Sequence, residues 1–349
     1  MICLIMLRHM EPTRKSNAIR IAMSRPPLEI PDLPLLLRQL IAQTPLGRVT
    51  TCGSLAAALG NPIAALWIGH FLLHHAHDAT CCCHRVVRAG GLLGGYIDGD
   101  AAKRRRLTDE GVEVADDGVD LGRHAYDGFA SDRPLERLRL IQESLAAKVT
   151  LRPPRQTPRL VGGVDVSYRQ PDEGVAAYAL VDLDSGQLLW SHTVRRRVGF
   201  PYITSYLTFR ELPILLELLD EVQAAGQAAP LLLVDGSGIM HHRHAGIASH
   251  LGVVAARPTI GVTKKLLFGK ADIGQMAPLE SRPVTDEGRP IGTALRPTAG
   301  SRRPIFISPG HRVSVAFAED IVRRLLLGHR LPEPLYWADR LSRAAARKP

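Results

Sequence analysis

Two aspartates set in strand-like runs are the residues most suited to chemistry. Leu231-Leu232-Leu233-Val234 ends abruptly in Asp235-Gly236-Ser237-Gly238. An apolar run with no polar alternation reads as a strand buried on both faces. An acid with glycines at the carboxyl end of such a strand stands where open α/β sheets place ligands. The stretch 160–168 is also strand-like, carries Asp165 in its middle, and is followed by a second strand over 175–182. Two carboxylates on neighbouring strands do not both stay charged without a cation, so the pair predicts a divalent-metal site, with Mg2+ and phosphate as its natural occupants. Two more strand ends contribute: the run 259–262 leads into Lys264 and Lys265, and the run 304–307 into Ser308-Pro309-Gly310-His311.

The elements that must position these groups divide the chain in two. A length of 349 residues exceeds one ordinary core and predicts two domains. Leu33, Leu36, Leu37, Leu40 and Ile41 recur at helical spacing, and Pro45 and Gly47 end that helix. Residues 54–59 read as a short second helix closed by Gly60, after which Asn61 caps and Pro62 opens a third, to about His75. Helix, glycine turn and capped helix form a helix-turn-helix pattern that would lay the third helix in a groove of DNA. Leu135, Leu138, Ile141, Gln142 and Leu145 mark an amphipathic helix opening the second domain. The expected organisation is a flexible tail over 1–30, with Met23 an alternative start, a DNA-binding domain over 31–115, an Asp- and Gly-rich linker over 116–132, and an α/β domain over 133–349.

The net charge of +10 comes mainly from arginine and calls for a polyanionic partner, because neutralised phosphates release counterions. Five cysteines, three of them adjacent, make no disulfide framework, so a reducing, cytoplasmic home is expected. The apolar run 1–7 is too short for a signal core and lacks a charged lead-in. No membrane segment is expected.

Six collinear blocks across nearly all of 133–349 resemble endonuclease V. They are Val161-Gly162-Gly163-Val164-Asp165-Val166-Ser167-Tyr168; Phe200-Pro201-Tyr202-Ile203-Thr204 with Phe209-Arg210-Glu211; Asp235-Gly236-Ser237-Gly238 with His241 and Arg243; Gly246-Ile247-Ala248-Ser249-His250-Leu251-Gly252; Pro258-Thr259-Ile260-Gly261-Val262 with Lys264; and Ser308-Pro309-Gly310-His311. The resemblance implies a ribonuclease H-like mixed-sheet fold, Mg2+ with Mn2+ as a substitute, and nicking of DNA 3′ to deoxyinosine. It makes Asp165 and Asp235 metal ligands, with Glu211 and His311 completing or supporting the site, and Lys264 the lysine that contacts phosphate. Tyr202, between Pro201 and Ile203, becomes the tip of a wedge that fills the gap left by a flipped base, and Gly236 and His241 join the substrate surface. Thr204 and His242 stand where the family usually has proline.

A second resemblance covers the first domain. Gly47-Arg48-Val49-Thr50-Thr51, Leu55-Ala56-Ala57-Ala58-Leu59-Gly60-Asn61-Pro62, Cys83-His84-Arg85-Val86-Val87, Gly94-Gly95-Tyr96 and Asp109-Glu110-Gly111 resemble the DNA-binding domain of O6-alkylguanine-DNA alkyltransferases. The implied fold is winged-helix-like, with O6-alkylguanine in DNA as the partner. Cys83 would be the alkyl acceptor, His84 its activating base and Glu110 the acid that orients the histidine, since a thiol is a weak nucleophile until a base favours the thiolate. Arg85, Tyr96 and Leu66 would touch the substrate. Leu66, Cys52, His75 and Cys82 replace the family's intercalating arginine, phosphate-rotating tyrosine, hinge asparagine and proline. Two alternatives stay open: a lesion-binding module without transfer, and a nuclease acting on inosine-containing RNA.

Zinc is a rival for His70, His74, His75, His77, Cys81, Cys82, Cys83 and His84. The paired C-x-x-C signature is absent and most of these residues are expected on a DNA-facing helix, so a solvated basic face is the reading taken. His241, His242 and His244 with Arg243 are expected to line a DNA groove, the segment 246–252 with His250 to wall a base pocket, and Arg195, Arg196 and Arg197 to contact backbone.

Overall fold

The computed structural model describes residues 29–78, 80–116, 118–298 and 300–347, so the tail expected over 1–30 lies almost wholly outside the described residues. In the first lobe α1 (Leu33–Ala42) begins at Asp32, whose side chain accepts from the Leu35 amide at 3.0 Å. A two-residue strand β1 (Thr50–Thr51) leads into α2 (Cys52–Ala58), capped by Thr51. Gly60, at φ 96°, ends α2, in a left-handed conformation that glycine adopts without strain. Asn61 then caps a single 3-10 turn over Pro62–Ala64, and α3 (Ala65–His74) follows. The expected third helix thus begins as a tighter turn. It stops at His74 because His75 is extended (φ −77°, ψ 156°).

Strand β2 (Val86–Val87) pairs parallel with β1. After α4 (Asp100–Asp109), β3 (Val114–Ala115) and β4 (Gly118–Val119) make a hairpin before α5 (Leu121–His124). The stretch expected as a linker over 116–132 is therefore largely built into this lobe. His124 is buried with Nδ1 2.9 Å from the Gly47 carbonyl, and the backbone of Val49 bonds His124 and Tyr126 at 2.8 Å. Backbone hydrogen bonds, with apolar contacts of Val119, Leu121 and Phe129 at no regular spacing, hold this segment, which is why no apolar periodicity announces it.

The second lobe opens with α6 (Pro134–Ala146) and contains one eight-stranded mixed sheet. Strands β5 (Leu160–Gln170), β6 (Glu173–Asp182) and β7 (Leu188–Arg197) form an antiparallel meander. After α7 (Leu207–Ala224), β8 (Leu231–Asp235) lies parallel to β5; after α8 (Ile247–Val254), β9 (Thr259–Thr263) lies parallel to β8. Strands β10 (Ser281–Asp286), β11 (Arg289–Leu295) and β12 (Ile305–His311) complete the other edge, followed by α9 (Val315–Arg324) and α10 (Glu333–Arg347). Leu231 and Leu233 of β8 pack with residues of α9 and α10, while Leu232 and Val234 pack with α7 and α8. Both faces of β8 are covered, which explains its unbroken apolar run.

A third core joins the lobes, with Leu33, Leu37, Leu55 and Ile68 meeting Leu135, Phe200, Ile203, Tyr206 and Phe209. No helix among the described residues is long and apolar enough to cross a membrane.

Candidate functional site

The two strand-borne acids meet on one face of the sheet. Val164 pairs with Val234, so Asp165 and Asp235 extend the same row of two parallel strands. A third acid, Asp339, reaches them from α10, and carboxylate oxygens of the three lie within 4.8 Å of one another. Gly163 permits this approach, since a Cβ there would fall 2.2 Å from the Pro334 carbonyl oxygen at the start of α10. Gly236 likewise lets α8 close on the strand end, because a Cβ would fall 2.1 Å from Ile247.

Lys264 bridges Asp235 and Asp339, its Nζ 3.2 Å from each, and Arg343 adds a second cation 3.0 Å from Asp339. Burial works against the Lys264 charge, but Asp235 and Asp339 outweigh it and hold the amine above its usual range. Ser342 donates to Asp165 Oδ2 at 2.6 Å. Burial, aided by the Asp235 charge, pushes Asp165 up to about 7 despite that bond. Glu211 lies near the start of α7, buried, with Tyr168 donating to its Oε1 at 3.1 Å. Burial pushes its carboxyl up to about 8, and the charges of Asp165 and Asp235 add to the shift. Glu211, expected as a ligand, is near enough to feel the charges of Asp165 and Asp235 but is not in the group of three whose oxygens converge; those three hard carboxylates, short of positive charge, are suited to a hard divalent cation.

His311 is not brought to this cluster. It pairs with Thr259 at the start of β9, whereas Asp235 pairs with Val262, three residues or roughly 10 Å further along the strands. Strand β12 runs antiparallel to β9, which carries its last residue away from the carboxylates; His311 Nδ1 accepts from the Thr150 amide instead, at 3.4 Å. Asp339 carries no comparable sequence signal, since it sits within a helix and not at a strand end.

The loop 200–206 presents Tyr202, which is 66% exposed, from a fixed base. Ile203 is buried in the core between the lobes, so it anchors the loop and offers no surface to a base. Arg210 donates to the carbonyls of Phe200 and Pro171. Arg243 donates to Gln142 at 2.7 Å and to the Ser205 carbonyl at 2.9 Å, with its guanidinium 4.5 Å from the Tyr206 ring centre. These arginines stiffen the loop where Thr204 replaces a proline. Arg243 therefore braces the protein, and His241, whose Nδ1 accepts from the Arg243 amide at 3.1 Å, is buried instead of lining a groove. Burial pushes His241 down to about 4. His250 is buried, with Phe209 edge-on to its ring. Arg195, Arg196 and Arg197 are paired with Glu173, Glu217 and Asp172.

In the first lobe Glu110 accepts from His84 Nε2 at 2.8 Å and from both Arg85 Nε at 2.7 Å and Nη2 at 2.8 Å. Burial disfavours the Glu110 charge, but these bonds outweigh it and hold the carboxyl low. Arg85 also donates to the Thr44 carbonyl at 2.6 Å and is buried, so it is a brace and not a DNA contact. Cys83 is 3% exposed, and its Sγ lies 3.5 Å from Nδ1 of His77, a partner the sequence reading did not name. A hydrogen bond to Cys81, with burial, raises its thiol, while the same hydrogen bond, received by Cys81, outweighs burial there and holds that thiol well below its usual range. His84 Nδ1 is buried without a partner among the described residues, and burial lowers the ring's affinity for a proton. Tyr96 is buried with its hydroxyl 3.2 Å from His77 Nε2, and Leu66 is 86% exposed on α3. Leu66, Trp67, His70, Pro201, Tyr202 and Thr204 border one cleft of about 520 Å³ between the lobes.

The endonuclease V family model matches residues 143–340, and the model for the 6-O-methylguanine DNA methyltransferase DNA-binding domain matches residues 37–112. A bifunctional methyltransferase/endonuclease from Picrophilus torridus is 32% identical over 298 residues, spanning 85% of this chain and 92% of that protein. Endonuclease V of Azotobacter vinelandii is 42% identical over 207 residues, 58% of this chain and 91% of the relative. The catalytic domain of human endonuclease V is similar in structure, with a TM-score of 0.58 at 32% identity over 62% of this chain and 98% of that one. Endonuclease V of Ciona intestinalis, solved with a 24mer DNA containing an inosine followed by a ribo-adenosine, matches with a TM-score of 0.55 at 27% identity over 61% of this chain and 98% of that one. By these matches and the architecture they share, the chain belongs to the endonuclease V family, with an alkyltransferase-type DNA-binding domain joined ahead of the nuclease.

Proposed function

We propose that this DNA repair endonuclease nicks DNA 3′ to deoxyinosine, and that its first lobe recognises O6-alkylguanine. The observation that carries the reading is the meeting of Asp165 from β5, Asp235 from the end of β8 and Asp339 from α10 with Lys264, in a chain that also presents a stiff exposed tyrosine. The Ciona relative's inosine-containing DNA supports the substrate, and its ribo-adenosine keeps inosine-containing RNA as a second reading. The three carboxylates fit Mg2+, or Mn2+ in its place, as hard oxygen donors whose charges are incompletely balanced. When bound, the cation supplies Lewis-acid neutralisation of charge on the scissile phosphate.

The chain's own groups do the rest. Lys264 Nζ, held between two carboxylates, is placed to donate to a phosphate oxygen as charge develops there. Glu211, with Tyr168 on one oxygen, holds or releases a proton at the other according to the charge beside it. Tyr202 enters the stack where the inosine leaves, a low-cost extrusion because hypoxanthine pairs weakly. Asp235→Ala is expected to lower nicking of a deoxyinosine duplex by roughly three orders of magnitude while duplex binding changes by only a few-fold. Equal loss of both, measured by gel cleavage and mobility shift, would make Asp235 a structural acid.

For the first lobe, α2 and α3 act as a helix-turn-helix in a winged-helix-like domain, with Leu66 as an apolar wedge in the base stack. Alkyl transfer to Cys83, with His84 and Glu110 as its relay, is tested by intact mass after incubation with duplex DNA holding O6-methylguanine. A gain of one methyl, lost in Cys83→Ser, makes the protein a two-activity repair enzyme. Retarded DNA mobility without that gain makes the lobe a lesion-recognition module serving the nuclease.

A further inference from the structure

Of the eight histidines and cysteines packed between positions 70 and 84, the fold sorts four into one cluster. His70 and His74 stack on each other along α3, with ring centres 4.1 Å apart, and Cys82 turns its Sγ toward the Thr80 carbonyl at 3.6 Å. His84 is bound to Glu110. The remaining ligand atoms, one nitrogen each from His75 and His77 and the sulfurs of Cys81 and Cys83, lie within 4.8 Å of one another.

His75 Nε2 is 3.2 Å from Cys81 Sγ, and His77 Nδ1 is 3.5 Å from Cys83 Sγ. A tetrahedral zinc ion with bonds of about 2.0–2.3 Å sets its ligand atoms about 3.3–3.8 Å apart, so these pairs already stand close to the spacing required. The outward nitrogens are held as zinc-bound histidines usually are. His75 Nδ1 meets the Phe71 carbonyl at 3.0 Å, and His77 Nε2 meets the Asp98 carboxylate at 3.3 Å and the Tyr96 hydroxyl at 3.2 Å. A carbonyl and a carboxylate only accept, so each ring places its proton outward and its lone pair toward the sulfurs. Two lone pairs facing two thiols form a soft donor set that selects zinc over the hard cation suited to the carboxylate cluster.

We propose that His75, His77, Cys81 and Cys83 bind one Zn2+ in a closed four-coordinate site that ties the end of α3 to the segment preceding β2. The order His-x-His-x3-Cys-x-Cys contains no C-x-x-C pair, and only the extended backbone at His75 takes the first ligand off the DNA-facing helix. The site also joins the candidate alkyl acceptor to the metal, so exposure of the Cys83 sulfur becomes zinc-dependent.

The test uses the full chain, reduced, given Zn2+ in the presence of excess Mg2+ to occupy the carboxylate cluster, then desalted and assayed for metal by mass spectrometry. We expect one zinc per chain in the wild type and in Cys82→Ser, none retained in Cys81→Ser, and affinity lowered roughly 10–100-fold in Asp98→Asn. With Co2+ in place of zinc, the wild type should show the intense visible bands of a tetrahedral site and a thiolate-to-metal band in the near ultraviolet. This readout needs no variant to fold. Thiol titration should lose two of the five cysteines on zinc binding and recover them with chelator. A wild type that keeps no zinc, a Cys81→Ser chain that keeps as much as the wild type, or a cobalt spectrum without a thiolate band would each overturn the proposal.

Discussion

At the scale of single residues, Asp339 does two things at once. Its carboxylate shares the cluster with Asp165 and Asp235, and it also holds Lys264 and Arg343. Asp339→Asn keeps the shape and removes the charge. We expect the Mg2+ concentration for half-maximal nicking to rise at least about tenfold, because a ligand charge is lost. A lower turnover at unchanged Mg2+ dependence would instead confine Asp339 to positioning Lys264. Arg85 and Arg243 carry the opposite lesson. Both look like DNA contacts by type, yet each is consumed by internal partners, Glu110 and the Thr44 carbonyl for one, Gln142 and the Ser205 carbonyl for the other. Arg85 is buried with Nε, Nη1 and Nη2 all engaged, and Arg243 is half-buried with Nη1 shared between two oxygens, so each guanidinium braces a loop.

At the scale of elements, α8 places a neutral histidine in a dry position. His250 is 1% exposed, edge-on to Phe209, and burial pushes it down to about 4. The unfolded chain takes up a proton near pH 6.5, before folded His250 does, so its contribution is complete above that pH and is lost as pH falls toward 4. The size is at most about 3 kcal/mol for a shift of that magnitude. His241, lowered by burial in the same direction, adds to it. Chemical denaturation between pH 6.5 and 4.5 should therefore give a shallower loss of stability in His250→Gln than in the wild type. Parallel curves would mean that His250 takes its proton without unfolding.

At the scale of the whole molecule, the two exposed wedge residues, Leu66 and Tyr202, border the same cleft, and the core beneath it is built from both lobes. Lobes so joined do not present two independent DNA surfaces. A duplex holding O6-methylguanine but no inosine is expected to compete with the nuclease substrate, raising KM several-fold at unchanged kcat and doing so more than undamaged duplex. Equal inhibition by damaged and undamaged duplexes would show that the lobes read DNA separately.

The two-lobe organisation, Asp165 within one strand and Asp235 at the end of another, and the family were all legible in the amino-acid order, because unbroken apolar runs, glycine turns and collinear blocks are local signals. It also marked Tyr202 as exposed and Glu110 as the partner of His84. That Asp339 joins the carboxylates and His311 does not came from the folded chain, since the first depends on where α10 crosses β5 and the second on the direction of β12. The folded chain also decided that the expected linker docks onto the first lobe, that Ile203, His241 and His250 are buried, and that four of eight clustered histidines and cysteines converge. Each of these depends on contacts between residues distant in the chain, or on one backbone angle at a helix end, and neither leaves a periodic trace in the order of the amino acids.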